Sequence, residues 1–227
     1  MNRKFSVIIP VFGEADGINA LLAHVQAIAP HGTQIVVADG HPEHTTLAAI
    51  SNFPEVVRCA APKGRAVQMN AGAHLAEGEI LLFLHADTRL ACDAFAVMNA
   101  AIDAGHPAGA FDLYIDAPGP LFALMSRLSS LRSRLTRIPY GDQAQFFRRD
   151  IFDRLGGYPE IPLMEDVEIM LRLKRLGLRP AISRRAVHTS ARRWQKEGVW
   201  SCTLRNWTIA TLYYLGVSAS RLARFYT

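Results

Sequence analysis

The chain has 227 residues, a formal charge of +5, a pI of about 9.4, and half of its residues are hydrophobic. This fits one large domain with a substantial core. The modest positive excess favours anionic partners such as nucleotides, phosphates or a membrane surface. No helix-turn-helix signature, zinc-finger spacing or aromatic RNA-binding motif accompanies it, so no nucleic-acid partner is expected.

Cys59, Cys92 and Cys202 are far apart and form no CxxC pair. They indicate neither a disulfide framework nor a cysteine zinc site, and a reducing cytoplasm is the expected compartment. Arg3 and Lys4 precede only a short apolar run, broken by Pro10, Gly13 and Glu14, so no signal peptide is expected. No apolar stretch reaches the roughly 18 residues of a membrane-spanning helix.

In chain order, residues 5–11 read as a strand and 15–29 as a helix stopped by Pro30. A second strand over 34–38, a short helix over 45–51 and a third strand over 55–59 follow. Then come an alanine-rich helix over 65–76, a fourth strand over 80–84 and a helix over 94–104. Strands alternating with helices argue for βαβ units and a parallel sheet.

After Gly105 the rhythm changes. Strands are expected over 109–115 and 144–147, and helices over 150–155, 167–176 and most of 194–216. A helix over 118–137 carries Leu121, Leu124, Met125, Leu128, Leu131 and Leu135 at helical spacing. No repeat or linker interrupts the chain. It reads as a single domain, 1–227, with a binding half to about residue 105 and a modified half from 106.

The candidate chemistry begins where the apolar strand ILLFL ends in His85, Ala86 and Asp87. Such a run suits a strand buried on both faces, and open α/β sheets bind ligands at the carboxyl ends of their strands. Two positions apart on an extended chain, His85 and Asp87 project to one side. Glu14 follows the first strand in VIIPVFGEADG, and Asp39 ends the second in IVVADG. Carboxylates at three corresponding strand ends suggest a ligand cleft. They can accept hydrogen bonds from a base or a ribose, or bind a divalent ion. The alternative for Asp39 is a cap on the next helix.

Lys63 and Arg65 flank the helix start in APKGRAVQMNAGA, where free backbone amides attract phosphate. Neither GxxxxGK nor GxGxxG occurs, so neither a P-loop ATPase nor a dinucleotide Rossmann site is supported. In IPLMEDVEIMLRLKRLG, Glu165, Asp166 and Glu168 crowd a first helical turn, where the helix dipole favours them. Glu165 and Asp166 point about 100° apart. In a catalytic site one would be the base and the other would orient or bind. Arg192, Arg193 and Trp194 in TSARRWQKEG suit a diphosphate leaving group and a stacked sugar or base.

Two helical stretches are basic and amphipathic. Arg127, Arg132, Arg134 and Arg137 flank the leucine stripe; Arg205, Arg221 and Arg224 flank Trp207, Tyr213 and Tyr214. The expected arrangement has these helices covering the sheet with their charges in water. Contact with anionic lipid, at the inner face of a membrane, is the alternative.

The segments SVIIPVFGEA, VVADG, GRAVQMNAGA, ILLFLHADT, GDQAQFFRRDIFDRLGGYPEIPLMEDVEIMLRLKRLG and SARRW, in this order and spacing, resemble the family 2 glycosyltransferases of the GT-A fold. GGYPEIPLMEDVEI and SARRW look most like the small branch linked to arsenosugar biosynthesis. The resemblance implies a three-layer αβα sandwich with a mostly parallel central sheet. It also implies a nucleotide-diphosphate-sugar donor, a hydroxyl acceptor, a divalent metal (Mn²⁺ or Mg²⁺) and inverting chemistry. By the same resemblance, Pro10, Glu14 and Asp39 hold the base and ribose, and Arg65 lies near the nucleotide. Asp87 is the metal-motif aspartate and Asp166, beside Glu165, the general base. Arg192, Arg193 and Trp194 sit near the diphosphate and acceptor, and Gly141, Asp142 and Gln143 line the acceptor side. His188 is a further candidate for the metal or diphosphate.

Two departures stand out: His85 occupies a position where many members carry aspartate, and Gly-His-Pro-Glu-His follows Asp39 where a serine and a second aspartate are usual. A nucleotidyltransferase and a non-catalytic nucleotide-sugar-binding paralogue are the competing readings.

Overall fold

A computed structural model describes residues 3–225. Strands β1 (Phe5–Val11), β2 (Gln34–Asp39), β3 (Val57–Ala60) and β4 (Ile80–Phe83) pair in parallel, in the order β3-β2-β1-β4. They are connected through α1 (Ala15–Ile28), α2 (Thr45–Ala49) and α3 (Arg65–Leu75). The second half adds β5 (Thr88–Arg89), α4 (Ala94–Asp103), β6 (Ala108–Asp116), α5 (Pro120–Thr136), a 3-10 turn (Gly141–Gln143) and β7 (Phe146–Arg148). It continues through α6 (Arg149–Arg154), α7 (Glu165–Arg175), β8 (Ala181–Ser190), α8 (Arg192–Glu197), α9 (Val199–Tyr214) and α10 (Ala219–Ala223).

Among the described residues, the strands join one eight-stranded sheet, β3-β2-β1-β4-β7-β6-β8-β5. Pairing is antiparallel on both sides of β7 and between β5 and β8, and parallel elsewhere, including β6 with β8. Every residue of β1 and β4 is buried, as a strand covered on both faces requires. On one face Val7, Ile9 and Leu82 meet Ile18, Leu22 and Val25 of α1 and Phe95 and Met98 of α4. On the other, Ile8, Leu81 and Phe83 meet Met69 of α3, Phe152 of α6, Tyr158, and Val167, Met170 and Leu173 of α7. The result is the expected αβα sandwich with a mostly parallel sheet.

Two strands escape the sequence reading. The ten residues of β8 read AISRRAVHTS, and Arg184-Arg185 breaks the alternation where the β6–β8 register shifts between Phe111 and Asp112. A bulge of this kind removes the period-two signal. Strand β5 is only two residues long and closes the edge beyond β8.

Helix α5 corrects a second expectation. Its leucines do not cover the sheet: Leu124, Leu128, Leu131 and Leu135 are 44–75% exposed, and the buried residues are Ser126, Ser130 and Ser133. The reason lies in β6. Strand β7 pairs only with Ala108 and Gly109, so the rest of that β6 edge needs partners. Ser130 Oγ accepts the Leu113 amide and Ser126 Oγ the Ile115 amide, each at 2.9 Å. The Gln143 side chain donates to the Phe111 carbonyl at 2.8 Å. An open edge needs hydrogen-bonding groups against it, and hydroxyls supply them where leucines cannot.

Candidate active site

The cleft opens at the carboxyl end of β4. Beyond β4, the Ser190 amide donates to the Asp87 carbonyl at 3.0 Å, and Thr88 pairs with Thr189. Strand β8 thereby fixes the His85–Asp87 segment against α8. From the other side, Met164 starts α7 in a left-handed conformation, φ 68°. A non-glycine residue held there stores strain, which is characteristic of functional sites. Here it turns Glu165 and Asp166 inward, with exposures of 1% and 8%.

These two carboxylates have different partners. Glu165 forms an ion pair with Arg65 at the start of α3. Asp166 Oδ2 accepts the Gly141 amide at 2.6 Å, and Oδ1 accepts the Val167 amide at 2.8 Å. Gly141 belongs there for steric reasons. A Cβ at that position would lie 2.9 Å from His85 Nε2 and 3.3 Å from Asp166 Oδ2.

Arg65, His85, Asp87, Asp142 and Asp166 line one cleft with Tyr140, Arg193 and Trp194. Burial, reinforced by Arg65 and Arg193, lowers the His85 pKa to about 3, so its imidazole is neutral at physiological pH. Burial pushes Asp142 up to about 6, reinforced by the Asp166 and Asp87 carboxylates and opposed by Arg132 and Arg65. Tyr140 is pushed up to about 12, mainly by burial, with the Arg132 guanidinium 3.5 Å from its ring centre. Asp142 Oδ1, Trp194 Nε1 and Asn206 Oδ1 are buried in this wall without a protein hydrogen-bond partner. Buried polar groups normally find partners, so three orphans in one cleft mark a place built to meet a polar ligand.

A second cleft adjoins the first at Asp87 and Ser190 and is lined by Glu14, Asp16, Arg89, His188 and Arg192. Arg192 grips Glu14 through two hydrogen bonds of 2.8 and 2.5 Å, and its Nε lies 3.6 Å from Asp87 Oδ2. It therefore ties α8 to the β1–α1 loop across the mouth. The His188 ring packs against Tyr114 at a tilt, with ring centres 4.7 Å apart.

Among the described residues, no three His, Cys, Asp or Glu side chains cluster as a metal cage. Asp87, with a quarter of its side chain exposed between the two clefts, fits an ion that takes most of its ligands from substrate phosphates and water.

The structure thus brings Asp166, Glu165, Arg65, Asp87, Asp142, Arg193 and Trp194 together, with Glu14, Arg192 and His188 next door. Glu165 and Gly141 do not line the cleft themselves but hold Arg65 and Asp166 that do, and three further residues singled out in the sequence lie away from it. Pro10 is buried within β1, opposite Ala38. Gln143 is fully buried, its side chain bonded to Ser133, the Tyr140 amide and the Phe111 carbonyl. Asp39 is fully buried and accepts the amides of His41, Thr46 and Leu47, so it organises the loop and first turn of α2. Tyr140, Thr189, Ser190 and Asn206 line the cleft without having been singled out. Asn206 carries the one legible signal, a lone amide in the apolar C-terminal helix.

The profile described as Glycosyl transferase family 2 matches residues 6–158. Among solved structures, the Pyrobaculum calidifontis mannosyltransferase PcManGT, in complex with GDP-Man and Mn²⁺, superposes with a TM-score of 0.65 at 22% identity, over 83% of this chain and 57% of that one. Residues 1–349 of S. aureus TarS superpose with a TM-score of 0.62 at 20% identity, over 83% and 60%. The same TarS fragment in complex with UDP-GlcNAc gives 0.62 at 20%, over 82% and 58%. The chain therefore spans less than two thirds of these structures, and at such identity they speak for the fold. No protein of curated function matches in sequence. With the family profile covering two thirds of its length, the chain belongs to glycosyl transferase family 2.

Proposed function

We propose that this chain transfers a sugar from a nucleotide-diphosphate donor to an acceptor hydroxyl with inversion, and that Asp166 is the general base. The carrying observation is the placement of Asp166. It is a buried carboxylate held by two backbone amides, at the wall of a cleft that also holds Asp87, Asp142, Arg65 and Arg193. Structural neighbours solved with GDP-Man and with UDP-GlcNAc favour a nucleotide-sugar donor. The GGYPEIPLMEDVEI and SARRW segments favour the branch associated with arsenosugar biosynthesis.

In this reading Asp166 takes the acceptor proton as the hydroxyl oxygen attacks the anomeric carbon. Its amide partners fix the carboxylate's orientation, so little reorganisation is needed. Glu165 positions Arg65 and takes no proton. Arg65, Arg192 and Arg193 supply positive charge where the diphosphate departs. Trp194 and Asp142 offer a donor and an acceptor to the sugar or the incoming hydroxyl. A divalent ion held at Asp87 would neutralise diphosphate charge when bound. Neutral His85 can donate or accept a hydrogen bond but adds no charge to hold that ion.

Asp166→Asn is the direct test. Turnover should fall about 10²–10⁴-fold while donor binding, measured by calorimetry across a nucleotide-sugar panel, is retained. Unchanged turnover overturns the assignment. Released nucleoside diphosphate distinguishes this reaction from a nucleotidyltransferase, which releases pyrophosphate. Donor binding with no released diphosphate across an acceptor panel would mark a non-catalytic paralogue.

A further inference from the structure

Charge is unevenly distributed along this chain. Residues 117–141 and 198–227 hold seven arginines and no Asp or Glu, so the remainder is net acidic by two. The first segment contains α5 and the second contains α9 and α10. The two long helices approach each other at two points along their lengths. Thr203 Oγ1 lies 3.8 Å from Met125 Sδ, and further along Arg132 acts electrostatically on the Tyr214 hydroxyl.

Both present an apolar stripe to the outside. On α5 it is Leu124, Leu128, Leu131 and Leu135, spacing four, three, four. On α9 it is Trp200, Leu204 and Trp207, exposed by 74, 67 and 62%, continued by Tyr214 and Leu215. Phe225, just past α10, is 71% exposed. Singly scattered apolar side chains are ordinary on a surface, whereas exposed stripes at helical spacing on two neighbouring helices point to a partner. Exposed Arg127, Arg137, Arg221 and Arg224 accompany the stripes.

We infer that the α5–α9 face docks on an anionic membrane surface, with the leucines and tryptophans in the headgroup boundary and the arginines on lipid phosphates. Tryptophan and tyrosine favour that boundary because one end of the ring system is apolar and the other wet. An apolar stripe with arginine at its flanks is the pattern of helices that lie in the interface rather than cross it. Among the described residues no helix is long and apolar enough to cross a membrane. A second copy of the chain would bring the same arginines against each other, whereas anionic lipid neutralises them. Docking is independent of the reaction proposed above. It has a consequence for that site, because the inner face of α9 contributes Asn206, Ile209 and Ala210 to the cleft. One helix, about 10–12 Å across, would separate the cleft from the lipid.

The test is co-sedimentation of the full chain with phosphatidylcholine vesicles, with and without phosphatidylglycerol. The protein should bind the anionic vesicles much more strongly and dissociate with salt. Each of Arg221→Gln and Arg224→Gln should weaken binding about fivefold. Trp200→Ser with Trp207→Ser should abolish it while circular dichroism stays unchanged. Brominated lipid should quench tryptophan fluorescence in the parent. Absence of binding to anionic vesicles at low salt overturns the proposal. So does binding that the tryptophan pair leaves intact, or a dimer by light scattering that those substitutions dissolve in a protein that ignores vesicles.

Discussion

Helix α1 buries Ile18, Leu21, Leu22 and Val25 against the sheet, whereas α5, with leucines at a similar helical spacing, buries Ser126, Ser130 and Ser133. The difference comes from what each helix meets. Helix α1 lies on the face of a sheet whose backbone is already paired, so only apolar area is left to cover. Helix α5 lies along β6 where β7 no longer pairs with it, so it must first satisfy amides. An unmade buried hydrogen bond costs about 1–3 kcal/mol, comparable with what burying one leucine side chain returns, and here both the Leu113 and the Ile115 amide need an acceptor. Periodicity says that a helix has two faces; the surface it meets decides which one turns inward.

The largest effect should come from paired truncations of the two stripes. Leu22 is fully buried in α1 and Leu131 is 47% exposed in α5. Leu22→Ala should cost about 2–5 kcal/mol in urea denaturation of the purified chain. Leu131→Ala should stay within about 0.5 kcal/mol, as exposed substitutions do. Equal losses would mean that the α5 stripe is covered, and both the comparison and the membrane proposal would fail together.

A smaller effect tests the serine face. Ser130→Ala leaves the Leu113 amide without its 2.9 Å acceptor. The expected loss is about 1–3 kcal/mol, reduced by the few tenths that alanine gains as a helix former. Hydrogen exchange at Leu113 should accelerate selectively. A neutral substitution with unchanged exchange would show that the β6 edge has another partner.

The same contrast explains what was legible in the sequence. In the first half, apolar runs bounded by Pro and Gly place β1, β2 and β4 within a residue of their observed ends, because strands buried on both faces leave little else to encode. The carboxylate at Asp87 follows from where such a strand stops. In the second half, structure depends on side-chain-to-backbone bonds between distant segments, which no local window contains. Strand β8 hides behind Arg184-Arg185, and Gln143, adjacent to Asp142, turns inward to serve β6 while Asp142 faces the cleft. Glu165 and Asp166 were legible as a pair with divergent directions. That Arg65 receives one and Gly141 the other depends on the packing of α3 and of the 3-10 turn against α7.

Asp142 gives the smallest effect, one that depends on pH. Its folded-state pKa of about 6 stands above the usual 3.8, chiefly through burial and then through the neighbouring carboxylates. A raised acid binds its proton more tightly in the folded chain than in the unfolded one. Ionised Asp142 therefore destabilises the fold above about pH 6, and that cost disappears as pH falls through 6 towards 4. Asp142→Asn removes the charge at every pH. The variant should be more stable than the parent by about 1–2 kcal/mol at pH 7.5, a figure discounted for the partial exposure of the site. The gap should close on acidification, with the unfolding midpoints converging by about pH 4. A gap that persists at low pH would place its origin in packing rather than charge. If the stabilised variant also loses transfer to the acceptor, the carboxylate is a charge that the binding half of the sheet would not have needed and that the second half keeps for its ligand.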